Sequence, residues 1–207
     1  MPPPIGDSAR LVFQGDSITA AGRDVGDPAD LGDGFVRMIA ERLRVLHPRV
    51  GVLNRGVGGN RVADLRARWA TDAIGLRPDL VSVMIGVNDT WHRYTYGIRT
   101  PVEGYDADYR ALLRQAGDVG VRLVLVEPFL VPVRSEQWDW RADLDARIHV
   151  VRRLAAEFDA ALLSADGLLN QAAREAGDPA EIADDGVHLT ALGHSVLADA
   201  WIRLVLG

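Results

Sequence analysis

Two residue types are missing from this chain of 207 residues, which contains neither cysteine nor lysine. Without cysteine there can be no disulfide, no thiolate metal site and no cysteine nucleophile. Without lysine, Schiff-base chemistry and the lysine of a phosphate-binding P-loop are also excluded. No apolar run approaches the length of a bilayer span, so the sequence predicts no membrane partner.

The chain also has fewer basic than acidic residues, 23 against 29, which gives a net charge of -6. A nucleic-acid partner needs a basic face, so the composition argues against one. Residues 1–7 lack the basic and apolar segments of a signal peptide, and we expect a cytoplasmic protein. The length and the hydrophobic fraction of 48% predict one domain over residues 1–207.

Short apolar runs alternate with amphipathic stretches along the whole chain, at residues 11–13, 50–53, 80–85, 121–126 and 161–163. Such alternation predicts βαβ units and a parallel sheet. We therefore expect an α/β fold, a flavodoxin-like three-layer α/β/α sandwich with about five strands. In this scheme Asp33 would cap the first long helix, and residues 91–96 and 131–140 would be loops.

The first strand breaks at residues 15–19, Gly-Asp-Ser-Ile-Thr, directly after a β-branched and aromatic run. Open α/β sheets bind their ligands at the carboxyl ends of the strands, which makes Ser17 a candidate nucleophile. The residues themselves leave open a second interpretation, in which this turn only caps a helix.

A serine nucleophile needs a nearby base and an acid that orients the base. Of the five histidines, His188 lies in a loop with Asp185 three residues before it, and it is the natural base. Three others are interpreted as structural or surface residues because they fall on predicted helices, namely His47, His149 and His194, and His92 lies close to Asn88 and could touch the substrate. A solvated turn is the alternative for the Asp185–His188 loop.

An oxyanion requires preorganised hydrogen-bond donors. Gly59 follows the second predicted strand and offers an unobstructed N–H, while Asn88 follows the third strand and offers its side-chain amide. The N–H of Ser17 is a third candidate donor. The alternative for Gly59 is a flexible turn, and the alternative for Asn88 is a turn residue whose side chain bonds its own backbone.

Four blocks in this order resemble the SGNH/GDSL hydrolase superfamily: Gly-Asp-Ser-Ile-Thr around Ser17, Asn-x-Gly-x-x-Gly ending at Gly59, Gly-x-Asn-Asp around Asn88, and Asp-x-x-His from Asp185 to His188. The resemblance implies the flavodoxin-like fold, with Ser17 as nucleophile, His188 as base and then acid, and Asp185 orienting His188. It also implies an oxyanion hole of Ser17, Gly59 and Asn88, and neither a metal nor a cofactor.

Further stretches, including Leu-Arg-Ala-Arg-Trp at residues 65–69 and Trp91 beside the Gly-x-Asn-Asp block, look like the intracellular acetylxylan esterases of this superfamily. That likeness implies an esterase that removes acetyl groups from xylo-oligosaccharides. Its substrate would be a small-molecule acylated carbohydrate, and the protein could form homo-oligomers. Asp16, Trp91 and His92 are the expected substrate contacts, because aromatic faces pack on sugar rings. Core packing is the alternative for Trp91.

Two other functions are compatible with the residues. One is a broader acyl-ester or lysophospholipid hydrolase with the same catalytic residues, although residues 131–140 are too short and too charged for a long apolar pocket. The other is a carbohydrate-binding protein that kept the fold without turnover. A metal-dependent phosphohydrolase is disfavoured, because the spacing of Asp184, Asp185, His188 and His194 matches no zinc or EF-hand pattern.

Overall fold

The five predicted strands form one parallel sheet in a computed structural model that describes residues 5–207. The first four residues of the segment used for the signal-peptide prediction lie outside this range. The strands are β1 (Arg10–Gly15), β2 (Gly51–Gly56), β3 (Leu80–Met84), β4 (Arg122–Val126) and β5 (Ala161–Leu163). Their spatial order is β2-β1-β3-β4-β5, which is the flavodoxin-like order and confirms the expected fold class.

Eight α-helices connect and cover these strands within the described range. They are α1 (Ser17–Ala20), α2 (Phe35–Leu46), α3 (Val62–Asp72), α4 (Val87–Tyr96), α5 (Val102–Asp118), α6 (Arg141–Glu157), α7 (Ala165–Ala176) and α8 (Ala191–Leu206). Three short 3-10 segments lie at Ile74–Leu76, Ser135–Trp140 and Pro179–Glu181. Among residues 5–207, no helix is both long enough and apolar enough to cross a bilayer.

Alternate residues of the strands enter two separate apolar layers. Leu11 and Phe13 of β1 pack with α2 and α8 on one face, while Val12 packs with α3 and α5 on the other. This period of two, with apolar residues on both faces, is why the strands form near-continuous apolar runs. Ser82 is a polar exception in β3, and its hydroxyl accepts a 3.0 Å hydrogen bond from Trp201 Nε1 of α8.

The order in which successive strands are added to the sheet reverses between β1 and β3, which are hydrogen-bonded neighbours. From β1 the chain moves outward to β2, and it then returns to the far side of β1 to form β3. Ligands of doubly wound sheets bind at this switch point, outside the carboxyl ends of the two strands. The helices α1 and α4, whose first turns contain Ser17 and Asn88, both begin there.

Three local expectations were wrong. Residues 91–96 belong to α4 and not to a loop, although their aromatic and β-branched side chains are weak helix formers. Tertiary contacts outweigh that propensity, because Arg147 of α6 donates to the backbone oxygens of Asp89 (3.3 Å) and Thr100 (2.6 Å), near the two ends of α4. Residues 131–140 likewise contain the 3-10 segment Ser135–Trp140.

The third error concerns the cap of α2. Asp33 was expected there, but the helix begins at Phe35 with Gly34 at the N-cap. The Phe35 N–H donates instead to Nδ1 of His194, at 3.2 Å and 159 residues away in sequence. A donor that sequence reasoning assigned to a local carboxylate is therefore satisfied by a distant imidazole.

Candidate active site

Ser17 is the first residue of α1 and lies directly beyond the end of β1. Gly15 allows the tight turn, because a Cβ at that position would come within 2.4 Å of the Met84 backbone oxygen on β3. Asp16 caps the short helix, with its Oδ1 accepting from the Ile18 N–H at 3.0 Å. The nucleophile candidate is thus held at the switch point by backbone packing on one side and a buried cap on the other.

Asp16 lies beneath the site and not in it. Its side chain is 1% exposed, and this burial raises the pKa of its carboxyl to about 7, against the opposing hydrogen bond from Ile18 and the charge of His188. This carboxyl therefore supports the turn that carries Ser17 and does not face a substrate, contrary to the expectation that it would be a substrate contact.

Ser17, His188 and Asp185 form one hydrogen-bonded chain. Ser17 Oγ lies 3.0 Å from His188 Nε2, and His188 Nδ1 lies 2.7 Å from Asp185 Oδ2. A carboxylate can only accept, so Nδ1 carries the proton and Nε2 is left to accept from the Ser17 hydroxyl. The structure brings together the three residues that the sequence reasoning grouped, across a separation of 171 residues between Ser17 and His188.

The Asp185 carboxylate is itself held by the backbone of its own turn. Oδ1 accepts from the N–H groups of Val187 (2.9 Å) and His188 (2.7 Å). Burial alone would raise the pKa of Asp185, but the hydrogen bonds from the His188 ring and from these N–H groups outweigh it and lower the pKa below its ordinary value. Asp185 is therefore ionised at neutral pH and fixes the orientation of His188.

Gly59, in the loop after β2, and Asn88, in the first turn of α4, lie on two segments that contact each other beside Ser17. Gly59 has φ +76, a conformation that glycine adopts readily, and no heavy atom lies within 4 Å of where its Cβ would be. A Cβ at the preceding Gly58 would lie 3.9 Å from the Ser17 Cβ. Asn88 Nδ2 donates to the Asn60 backbone oxygen at 3.0 Å, which leaves one of its two amide hydrogens for another acceptor.

Asp89, next to Asn88 in α4, connects the start of α4 to the start of α3 by a buried hydrogen bond. It is fully buried, and its Oδ2 accepts from the Val62 N–H at the start of α3 (3.1 Å). Burial raises the pKa of Asp89 to about 6, against the hydrogen bond from Val62 and the positive charge of Arg147. The buried Arg147 also pairs with Asp143 Oδ2 at 2.6 Å.

Sequence reasoning missed Arg147 and its place in this buried network. A signal was available, because Arg147 follows Leu144 by three residues and precedes Val151 by four, and both neighbours belong to the apolar stripe of α6. An arginine on the buried stripe of a helix indicates a buried partner.

Trp91 packs against the imidazole of His188. The Trp91 ring centroid is 5.6 Å from that of His188 and 5.8 Å from that of Trp140, and the side chain is only partly buried. Trp91 thus packs against the core and also borders the site. His92 points toward Tyr96, with ring centroids 5.3 Å apart, and burial together with Arg61 lowers the pKa of His92.

The other histidines have structural or surface surroundings, as expected. His47 Nδ1 lies 3.3 Å from Asp7, and His149 is exposed on α6. His194 is buried, and burial followed by the charge of His188 lowers the pKa of His194 to about 4. It therefore stays neutral and accepts from the Phe35 N–H.

A cleft of about 440 Å³ opens beside the Ser17–His188 pair and is lined also by Ala21, Leu189 and His194. Within residues 5–207, no three histidine, aspartate or glutamate side chains are grouped so that they could hold a metal ion. The arrangement is suited to nucleophilic attack by a hydroxyl on a small acyl group and provides no cluster for metal-assisted hydrolysis.

Comparisons with known proteins agree with this chemistry. Residues 13–196 match the model of the GDSL-like lipase/acylhydrolase family. The chain is 34% identical, over 209 residues, to an acetylxylan esterase of Geobacillus stearothermophilus, and the match covers 96% of this chain and 94% of that protein.

Solved structures of similar proteins superpose over nearly the whole chain. A crystal structure of an acetylxylan esterase from Geobacillus stearothermophilus has a TM-score of 0.90 and 32% identity, covering 98% of this chain and 96% of that one. The crystal structure of an α/β hydrolase enzyme from the metagenome of Lake Arreo, Spain, has a TM-score of 0.89 and 30% identity, with coverage of 98% and 96%.

Proposed function

This chain belongs to the GDSL-like lipase/acylhydrolase family, and we propose that it removes acetyl groups from acetylated sugars or xylo-oligosaccharides through an acetyl-Ser17 intermediate. It is a carboxylic ester hydrolase of the acetylesterase type. The observation that carries the assignment of catalytic roles is the continuous chain from Ser17 Oγ through His188 to Asp185, with separations of 3.0 and 2.7 Å.

In the first half-reaction, Ser17 Oγ attacks the acetyl carbonyl carbon while His188 Nε2 takes the hydroxyl proton. The carbonyl electron pair moves onto oxygen, and the resulting oxyanion accepts hydrogen bonds from the N–H groups of Ser17 and Gly59 and from the free amide hydrogen of Asn88. As the carbonyl re-forms, the bond to the sugar oxygen breaks, and that oxygen takes the proton from His188. Asp185 stabilises the imidazolium throughout.

In the second half-reaction, water replaces the sugar. His188 Nε2 takes a proton from the water, the water oxygen attacks the acetyl carbon, and the same donors stabilise the second oxyanion. Cleavage of the bond to Ser17 Oγ returns the proton from His188 to the serine and releases acetate. The residues of this chain supply every proton transfer, so the cycle needs no cofactor.

The choice of acetylated sugars rests on the relatives and on the walls of the site. A relative that is 34% identical to this chain is an acetylxylan esterase. Trp91, beside His188, offers an aromatic face that can pack on a sugar ring, and we keep Trp91 and His92 as proposed substrate contacts. The alternatives of a lysophospholipid hydrolase and of a sugar-binding protein without turnover are not favoured by these comparisons.

Three further expectations accompany the proposal. We propose that residues 1–207 act as one SGNH hydrolase domain, that the protein works in the cytoplasm, and that it assembles as a homo-oligomer. The net charge of -6 supports the expected absence of a nucleic-acid partner.

The decisive experiment measures acetate release from acetylated xylo-oligosaccharides by the parent protein and by Ser17→Ala. We expect rapid release by the parent and near-total loss in the variant, together with loss of fluorophosphonate labelling. Ser195→Ala is the matched control, because Ser195 lies within α8 and not at a strand end.

Other outcomes would change the assignment. Cleavage of aryl acetates without release from the oligosaccharides would keep the esterase and reject the sugar substrate. A clear preference for octanoyl over acetyl esters would favour the broader acyl hydrolase. A parent protein that is neither labelled nor active would favour the binding protein.

A further inference from the structure

Residues 131–140, which we call the bracing segment, run beside the turn that carries Asp185 and His188. The Val131 N–H donates to the Gly186 backbone oxygen at 2.9 Å. At the other end of the segment, Trp140 packs against Trp91, which in turn packs against the His188 ring. The segment therefore contacts the turn directly at one end and through an aromatic pair at the other.

Gln137 lies at the centre of the bracing segment and is fully buried. Its Oε1 accepts from the N–H groups of Val133 (2.8 Å) and Arg134 (3.1 Å), which folds the segment around the side chain. Its Nε2 donates to the Asp185 backbone oxygen at 2.7 Å. The amide oxygen of Gln137 thus accepts from backbone N–H groups of its own segment, and the amide nitrogen donates to a backbone carbonyl of the turn.

The fit between Gln137 and the turn is close. Gly186 has φ +91, and a Cβ there would lie 2.6 Å from Gln137 Nε2. Gly186 is consequently restricted both by its backbone conformation and by the amide packed against it. A side chain at position 186 would not fit against Gln137, and the hydrogen bond from Gln137 to the Asp185 carbonyl opposes movement of the turn away from the bracing segment.

We propose that Gln137 is a positioning residue for the catalytic histidine, acting through the backbone of Asp185. Holding the Asp185 carbonyl fixes the start of the turn, and the carboxylate of the same residue holds His188 Nδ1 at 2.7 Å. Displacement of a catalytic group by about 1 Å can cost about 100-fold in rate. The inference rests on the proposed roles of Ser17, Asp185 and His188.

Two substitutions separate this role from general packing. Gln137→Met keeps the approximate length of the side chain and removes both hydrogen-bonding functions. Gln137→Glu keeps the acceptor for Val133 and Arg134, and its second oxygen can donate to the Asp185 carbonyl only when the introduced carboxyl is protonated. The charged or titratable residues on the two segments that Gln137 joins are Arg134 and Glu136 on the bracing segment and Asp185 and His188 on the turn.

We expect Gln137→Met to lower kcat by about 10-fold to 100-fold at all pH values, with KM close to that of the parent. For Gln137→Glu, the ratio of its kcat to that of the parent should be near one at low pH and should fall as the carboxyl ionises. The proton NMR resonance of the His188 Nδ1–H, which reports the hydrogen bond to Asp185, should shift in parallel. Gln171→Glu, on the exposed face of α7, is the matched control.

The inference is overturned if both variants fold and keep the parent kcat and resonance, or if the deficit of Gln137→Glu does not change with pH. Should Gln137→Met fail to fold, the pH dependence of Gln137→Glu alone decides the matter. Ser17→Ala separates the two proposals: activity that survives it contradicts the proposed function, whereas loss in Ser17→Ala with parent-like Gln137 variants contradicts only the positioning role.

Discussion

Replacement of Asn88 by alanine tests the proposed oxyanion hole most directly. In the parent, the Asn88 amide is aligned by its 3.0 Å hydrogen bond to the Asn60 backbone oxygen, and only 6% of the residue is exposed. One amide hydrogen is thus used for alignment, and the other is available to the negative oxygen of the tetrahedral intermediate. Asn88→Ala removes both functions while leaving Ser17, His188 and Asp185 in place.

The size of the effect follows from the kind of interaction that is lost. Removing one oxyanion donor costs about 10²–10³ in kcat, equivalent to about 2.7–4 kcal/mol of transition-state stabilisation. Because the donor acts mainly on charge that develops in the transition state, KM should change little. The Asn60 carbonyl also loses its donor, and because Asn60 is only partly buried the free energy of unfolding should fall by about 0.5–1.5 kcal/mol, the net contribution of a typical hydrogen bond.

The assay is steady-state hydrolysis of an aryl acetate, combined with urea unfolding to measure the change in stability. Asn170→Ala is a matched control, since that amide also donates to a backbone oxygen, at Leu130 (3.0 Å), but from α7. A variant of Asn88 that loses less than tenfold in kcat, or that loses activity only through KM, would refute the assignment of Asn88 as a donor to the transition state.

Three more predictions concern pH, substrate and metal. Because burial raises the pKa of Asp16 from 3.8 to about 7, the parent should lose stability as pH rises through this interval, by at most about 4 kcal/mol. Asp16→Asn, which can still accept from Ile18, should flatten that dependence in thermal unfolding; parallel curves would contradict it. Trp91→Ala should raise KM for acetylated oligosaccharides more than for an aryl acetate, with Trp91→Phe intermediate; equal effects on both substrates would argue against sugar packing. Dialysis against EDTA should leave the rate of acetate release unchanged, and loss restored by added metal would reject the metal-free mechanism.

The positions of the main site residues were predictable because each one follows a strand. A buried apolar run that ends in glycine marks the carboxyl edge of a parallel sheet, and Ser17, Gly59 and Asn88 all come after such runs. The role of His188 was predictable for a different reason, because its partner Asp185 is only three residues away in sequence. Local sequence therefore contained most of the information about which residues meet.

The supporting contacts were not predictable, because they join segments that are distant in sequence. Arg147 reaches the Asp89 carbonyl across 58 residues, and Gln137 reaches the Asp185 carbonyl across 48. The N–H at the start of α2 is likewise satisfied by His194 from the other end of the chain. In each case a side chain forms a hydrogen bond with a backbone group of a distant segment, and only folding brings the two close together.

The separation of 171 residues between Ser17 and His188 has a consequence for the synthesis of the protein. A growing chain acquires Ser17, the proposed nucleophile, early, but His188, its proposed base, is added only after all five strands have been translated. The helix that follows His188 then packs on the first strand, where Trp201 lies 5.1 Å from Phe13 between ring centroids. If His188 has the proposed role, we expect little esterase activity from any partial chain that stops before His188, and the appearance of activity during translation would report that the two distant segments have come into contact.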